Sequence, residues 1–275
     1  MMIKDKRILV TGGAGSIGSE LVRQLARDNK VFILDFDEAA FSLSEELKQE
    51  GFWVEARIGD IRDKETVRDL FEDFKPQYVF HAAAYKNVSP METYPLEAID
   101  TNILGTHNLI FEAKRWECLE KFVFISTDKV VNAHSIMGIT KLCAEGLVRR
   151  AGEKFVAVRF GNVLGSKGSV LEIWKRQHAR GKPLTITDER MARYMMTIPE
   201  ACALVITAAE YGRGGEVFIL NMGKPKNIMD LKNELYPEYP HLFIGIRPGE
   251  TLEENLMTDE EKKVAIQEGN FFIIR

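Results

Sequence analysis

The sequence predicts an α/β fold, a Rossmann-type doubly wound parallel sheet with a small C-terminal lobe. Three observations carry that expectation. Short β-rich runs alternate with longer helical patterns through residue 160. The β-rich runs are apolar almost throughout, as strands buried on both faces are, rather than alternating apolar with polar. A glycine-spaced turn joins the first strand to the first helix.

The expected strands cover residues 7–11, 31–35, 54–58, 78–81, 122–126 and 155–160. Between them, residues 17–28, 38–49, 64–74, 96–115 and 136–150 read as amphipathic helices. In 17–28, for example, Ile17, Leu21 and Leu25 recur at the spacing of one helical face. Right-handed crossovers then place helices on both sides of the sheet. Past residue 161 the pattern loosens, with helices expected over 170–180 and 199–211 and strands over 184–186 and 217–220. No internal repeat or long linker interrupts the chain.

Composition narrows the classes of function. With 275 residues, 45% apolar and 28% charged, the chain is that of an ordinary globular protein. Its net charge of −4, from 37 basic and 41 acidic side chains, carries no footprint for nucleic acid. Three widely spaced cysteines (Cys118, Cys143, Cys202) suggest neither a disulfide framework nor a zinc site, and five scattered histidines predict no metal. The first strand begins close to Met1, and the longest charge-free apolar stretch is 201–209, so neither a signal peptide nor a membrane span is expected. The expectation is a soluble, cytoplasmic protein without a membrane partner.

The first strand runs into Thr11-Gly12-Gly13-Ala14-Gly15-Ser16-Ile17-Gly18. Glycines at 12, 15 and 18 suit a tight turn, close approach of backbone to a pyrophosphate, and close packing of helix on strand. The helix N-terminus beginning at Ser16 and Ile17 then offers free N–H groups to phosphate. Dinucleotide binding follows from this turn in its strand-to-helix context. Asp35 ends the second strand, 20 residues after Gly15, where a carboxylate accepts both ribose hydroxyls and repels a 2′-phosphate. NAD is therefore favoured over NADP; a helix N-cap is the structural alternative for Asp35. Asp60 and Ile61, after the third strand, are expected near the adenine, and Asp63 as the cap of the next helix. Residues 1–165 thus read as the NAD-binding domain and 166–275 as a substrate-binding lobe partly interleaved with the sheet.

The fifth strand ends in Ser126-Thr127-Asp128-Lys129 at the ligand edge of the sheet, and a helix follows near Ile136. Met137 and Lys141 lie one helical turn apart on a shared face.

The Gly12–Gly18 turn, His81-Ala82-Ala83-Ala84, Asn102 before Gly105-Thr106, and Lys141 resemble an extended short-chain dehydrogenase/reductase. Further segments narrow this likeness to the polysaccharide-biosynthesis UDP-N-acetylglucosamine 4,6-dehydratases. They are the 82–92 segment around Tyr85-Lys86-Asn87, 126–132, Arg159-Phe160-Gly161-Asn162-Val163-Leu164-Gly165-Ser166, 195–201 and Arg247-Pro248-Gly249-Glu250. The likeness spans nearly the whole chain. Two departures matter. The wider superfamily has tyrosine where Met137 stands, and the retaining branch resembles this chain in lacking it, so retention at C5 is favoured with inversion left open. The chain is also short after Asp230 and without the N-terminal membrane segments of long members, which implies a soluble enzyme.

The resemblance implies a lyase that eliminates water through a 4-keto intermediate, with internal hydride transfer from C4 to C6, for surface-polysaccharide or glycan sugar biosynthesis. It assigns Asp128 as the acid and Lys129 as the base. Thr127 would hold the C4 hydroxyl, and Lys141 the nicotinamide ribose. A lysine base needs depressed basicity, to which Lys141, the positive nicotinamide and desolvation would contribute. By position alone, Asp128 and Lys129 are equally a solvated ion pair. Ala82 and Ala83 are expected at the cofactor, and Lys86, Asn162, Arg193, Arg247 and Glu250 at the UDP-sugar. Met137 reads as packing and His81 as structural. A nucleotide-sugar 4-epimerase and a non-catalytic dinucleotide sensor are the alternatives. A homo-oligomer, a dimer or higher, built on the 96–115 and 136–150 helices is what the resemblance implies.

Overall fold

A computed structural model describes residues 3–275. The first half alternates as expected: β1 (Arg7–Thr11), α1 (Ser16–Leu25), β2 (Lys30–Asp35), α2 (Ala39–Gln49), β3 (Val54–Ile58), α3 (Lys64–Phe74) and β4 (Tyr78–His81). There follow α4 (Val88–Thr93), α5 (Pro95–Ala98), α6 (Thr106–Arg115), β5 (Lys121–Ile125), α7 (Ile136–Arg149) and β6 (Phe155–Arg159). Helix α1 stops at Leu25, short of the expected 28, because the Asn29 side chain donates to the Leu25 carbonyl at 2.9 Å. Asp63 caps α3 by accepting from Glu65 N. The helix expected over 96–115 is interrupted, since Ile99–Gly105 form a π-helical turn between α5 and α6. Such turns concentrate at functional sites. Here it delivers Asn102, whose amide bonds both backbone groups of Tyr85 (2.8 and 3.1 Å) and Thr140 Oγ1 (3.0 Å).

The second half contains β7 (Asn162–Leu164), α8 (Val170–Ala179), β8 (Leu184–Ile186), β9 (Ala192–Arg193), β10 (Met195–Thr197), α9 (Ile198–Tyr211) and β11 (Val217–Leu220). It ends with β12 (Lys226–Asn227), α10 (Ile228–Leu235), β13 (His241–Phe243), α11 (Asp259–Val264), β14 (Ile266–Glu268) and β15 (Phe271–Ile274).

Nine strands form the central sheet in the order β14-β15-β11-β6-β5-β4-β1-β2-β3. From β3 to β11 neighbours run parallel, while β15 and β14 return antiparallel. The chain therefore comes back from 217–274 to widen the sheet begun by the first half. Strand order reverses between β1 and β4, and the crevice outside that reversal is where doubly wound sheets bind ligands.

Alternate residues of each strand feed opposite layers. Ile8 and Val10 of β1 join one apolar cluster with Leu21, Leu25 and Val205, and Leu9 joins another with Leu70, Leu109 and Val148. A third, smaller cluster of Trp174, Leu184, Ile186, Met191, Ile228 and Leu231 gives the C-terminal region its own core. Among the described residues, no helix is long and apolar enough to cross a membrane.

Candidate active site

The glycine turn is shaped by backbone contact. Gly12 has φ of +72°, and a Cβ there would lie 2.5 Å from Ala83 N, so the ends of β1 and β4 approach as only glycine permits. A Cβ at Gly18 would lie 2.1 Å from Gly12 O, so α1 sits directly on the turn. Helix α1 starts at Gly15 without a side-chain cap, leaving its first N–H groups to an anion. Asp35 is buried at the end of β2, where Oδ2 accepts from Ala14 N (2.8 Å) and Oδ1 from Asp37 N (3.0 Å). Its carboxylate thereby braces the turn from the side; the cap position of α2 is Glu38. These features fit a dinucleotide.

At the end of β5, Thr127 caps a short 3₁₀ turn over Asp128–Val130. Asp128 is completely buried, and its Oδ1 accepts from Thr127 Oγ1 (3.0 Å) and Lys129 Nζ (2.9 Å). Its Oδ2 is buried with no hydrogen-bond partner. Lys129 Nζ also donates to Asn162 Oδ1 at 3.2 Å and lies 3.8 Å from Glu254 Oε1. The pairing with Asp128 was open from the sequence, and Glu254 adds a second carboxylate within 4 Å of Lys129 Nζ. Glu254 was not anticipated, because it lies in an irregular segment with no spacing pattern to single it out.

Lys141 reaches back under β5, donating to Ile125 O at 2.5 Å, with Nζ 4.0 Å from the centre of the Phe124 ring. Burial pushes its ammonium down to about 7, against the opposing pull of the Glu145 carboxylate. Its neighbour His81 is fully buried between Thr11 Oγ1 (2.7 Å) and Thr106 Oγ1 (2.8 Å). Burial, reinforced by Lys141, holds His81 well below the ordinary imidazole range, so it is a neutral structural strut. Met137 is buried against Met91 and Ala98 and presents its edge to the site.

One cleft of about 670 Å³, within the range of small-molecule sites, gathers most of these groups. It takes in Gly12, Gly15, Ser16, Ile17 and Gly18, then Ala82, Lys86, Thr127, Lys129, Lys141, Asn162, Arg247 and Glu250. Burial lowers the Lys86 ammonium from its usual range, with Glu172 opposing and Lys167 reinforcing the fall. Arg247 pairs with Glu250 across one turn, and that turn docks on α4 through Ser89 Oγ donating to Pro248 O.

Six expected residues stand apart from the cleft lining, Asp35 and Asp128 among them, buried as described above. Ala83 is packed behind the glycine turn. Asp60 is committed to Arg62, with carboxylate contacts of 2.7–2.8 Å. Ile61 is buried against Gly105. Arg193, expected at the substrate, is buried instead, and its guanidinium donates to Ala192 O and Leu252 O (2.8 Å each) and Thr251 O (2.6 Å). Thr251 and Leu252 lie in irregular backbone, and the arginine ties that backbone to β9. Sequence reading also missed Ser126 and Arg159, which converge on the Glu145 carboxylate (2.5 and 2.6 Å), and the α8 N-terminus at Ser169, which lines the cleft. Among the described residues, no group of His, Cys, Asp or Glu is arranged to hold a metal.

The family model described as polysaccharide biosynthesis protein matches residues 8–275. Capsular polysaccharide biosynthesis protein CapD of Staphylococcus aureus is 46% identical over 94% of this chain and 46% of its own length, so the chain spans about half of that relative. A UDP-glucose 4-epimerase of Rickettsia bellii is 34% identical, covering 99% of this chain and 84% of that one. The inverting UDP-N-acetylglucosamine 4,6-dehydratase of Campylobacter jejuni is 35% identical with the same coverage of each chain. The X-ray structure of Pen from Bacillus thuringiensis superposes with a TM-score of 0.92 at 37% identity, covering 100% of this chain and 89% of that one.

Proposed function

Because this chain belongs to the polysaccharide biosynthesis protein family, we propose that it modifies a nucleotide sugar, removing water from UDP-N-acetylglucosamine as an NAD-dependent 4,6-dehydratase. Residues 1–165 would hold the dinucleotide and 166–275 the sugar nucleotide. The supporting observation is the Asp128–Lys129 pair, with Lys129 lining the cleft and Asp128 buried directly beneath it. Epimerisation at C4 needs proton transfer only at the C4 hydroxyl. Elimination across C5 and C6 needs two more proton movements, one off carbon and one onto the leaving hydroxyl, and so needs an acid and a base.

The residues divide the work as follows. The glycine turn, the α1 N-terminus, Asp35 and Lys141 would hold the dinucleotide, which when bound supplies the hydride acceptor and donor of the reaction. Thr127 would orient the C4 hydroxyl. Lys129, as the neutral amine, would take the C5 proton, acidified by the C4 ketone. Asp128 would protonate the departing C6 hydroxyl; its Oδ2 is buried without a hydrogen-bond partner. Lys86, Asn162 and Arg247 would bind the diphosphate and sugar. Met137 carries no proton, and we take the C5 configuration to be retained. Exposed Leu96, Leu104, Phe111, Ile139, Leu142 and Leu147 form an apolar face on which two copies would pair. Three free cysteines suit the cytoplasm.

Incubation with UDP-N-acetylglucosamine and NAD should yield a product lighter by one water in the mass spectrum. An unchanged mass with a new sugar would make the chain an epimerase, and dinucleotide binding without turnover would make it a sensor.

A further inference from the structure

The geometry points to Glu254 as the positioning residue for Lys129, supplied by the C-terminal region rather than by the sheet. The inference rests on reading Lys129 as the base. Three oxygens from three parts of the chain surround its Nζ: Asp128 Oδ1 at 2.9 Å, Asn162 Oδ1 at 3.2 Å and Glu254 Oε1 at 3.8 Å. Asp128 pulls the amine toward the protein interior, since it is fully buried below the cleft. Asn162 and Glu254 come from two other parts of the chain, so the amine is held from three segments. The charged groups within 4 Å of Nζ are Asp128 and Glu254, and Asn162 is neutral.

Glu254 sits in a stretch without helix or strand, yet its side chain is only 9% exposed. Burying a carboxylate costs free energy unless a partner offsets it, and the partner found here is Lys129. The backbone that carries Glu254 is clamped on both sides. Upstream, Arg193 grips the carbonyls of Thr251 and Leu252. Downstream, the buried Arg159 donates to Leu256 O at 3.1 Å and to both carboxylate oxygens of Glu261 (2.9 and 3.0 Å). Glu261 in turn closes a capping box with Thr258 at the start of α11. Arg159 also binds Glu145, one turn after Lys141 on α7. Two buried arginines therefore hold a short irregular loop still, and the buried carboxylate between them faces the reactive amine.

Removing the Glu254 carboxylate leaves the amine held by Asp128 and Asn162 alone. In Glu254→Gln, kcat should fall about tenfold or more, short of the roughly 10²–10⁴ of a lost acid–base group, with KM changed little. Labelling of Lys129 with an amine-reactive reagent at one fixed pH, read by peptide mass spectrometry, should show a severalfold change in rate. Glu254→Asp should restore part of kcat, and Glu253→Gln, at the exposed neighbouring carboxylate, should change neither readout.

An unchanged labelling rate in Glu254→Gln overturns the inference, whether or not kcat falls, because the amine would then stand in the same place without the carboxylate. Labelling needs no substrate. If no form of the enzyme dehydrates the sugar nucleotide while the labelling rate still changes, the proposed reaction fails and the placement of Lys129 by Glu254 stands.

Discussion

Two regions meet at the cleft and are held in place by opposite means. The glycine turn between β1 and α1 is positioned by backbone. Gly12 N donates to Leu34 O, Ala82 N to Thr11 O, and side chains are excluded where they would collide. The 247–261 segment is positioned by long side chains: Arg193 and Arg159 reach into irregular backbone and supply hydrogen bonds that a sheet would otherwise provide. Backbone positioning binds a cofactor common to many reactions. Side-chain clamps leave the loop's own residues free to differ, and such a loop suits a substrate-specific wall.

The largest expected effect falls where the two regions touch. Asp128→Asn and Lys129→Ala should each cut kcat by about 10²–10⁴, measured by product formation, and Lys129→Ala, which leaves the buried Asp128 carboxylate without its cation, should also lower stability in denaturant unfolding. Full activity in either would remove the acid–base assignment. Next comes the clamp. Arg159→Met leaves Glu145 and Glu261 facing each other without their cation, and breaking such a buried pair costs about 3–5 kcal/mol in denaturant unfolding. The same unfolding measurement should give a smaller loss, about 1–3 kcal/mol, for Gly18→Ala, whose methyl would meet the Gly12 carbonyl. That variant should also lose dinucleotide binding in calorimetry, while Arg159→Met, if folded, should keep it. Equal loss of binding in both would erase the distinction between the regions.

The smallest effect is a pH dependence. Lys141 titrates at about 7, so it is a cation below that pH and neutral above it. If its charge helps to hold the dinucleotide, affinity should weaken as pH rises through 7, and Lys141→Met should flatten the curve. A wild-type affinity constant from pH 6 to 8 would exclude that role.

How far the sequence disclosed this arrangement follows the same division. The strands of the first half were legible because a strand buried on both faces is apolar at every position, as in Ile8-Leu9-Val10. The glycine turn was legible because its spacing carries a steric meaning. The π-helical turn at Ile99–Gly105 was not, since the extra residue leaves the apolar pattern of 96–115 intact. Strands β14 and β15 went unseen because antiparallel strands of three and four residues carry little periodicity. Arg193 reads as a ligand-binding arginine in sequence, and only the three carbonyls around it disclose a structural role. Glu254 had no local signal at all: its importance comes from a contact across 125 positions with Lys129.

The most direct test of the central claim follows one atom. UDP-N-acetylglucosamine carrying deuterium at C4 should give a product lighter by one water, with the deuterium found at C6 by NMR. Deuterium still at C4, in a sugar of unchanged mass and inverted C4 configuration, would contradict a dehydratase and establish an epimerase.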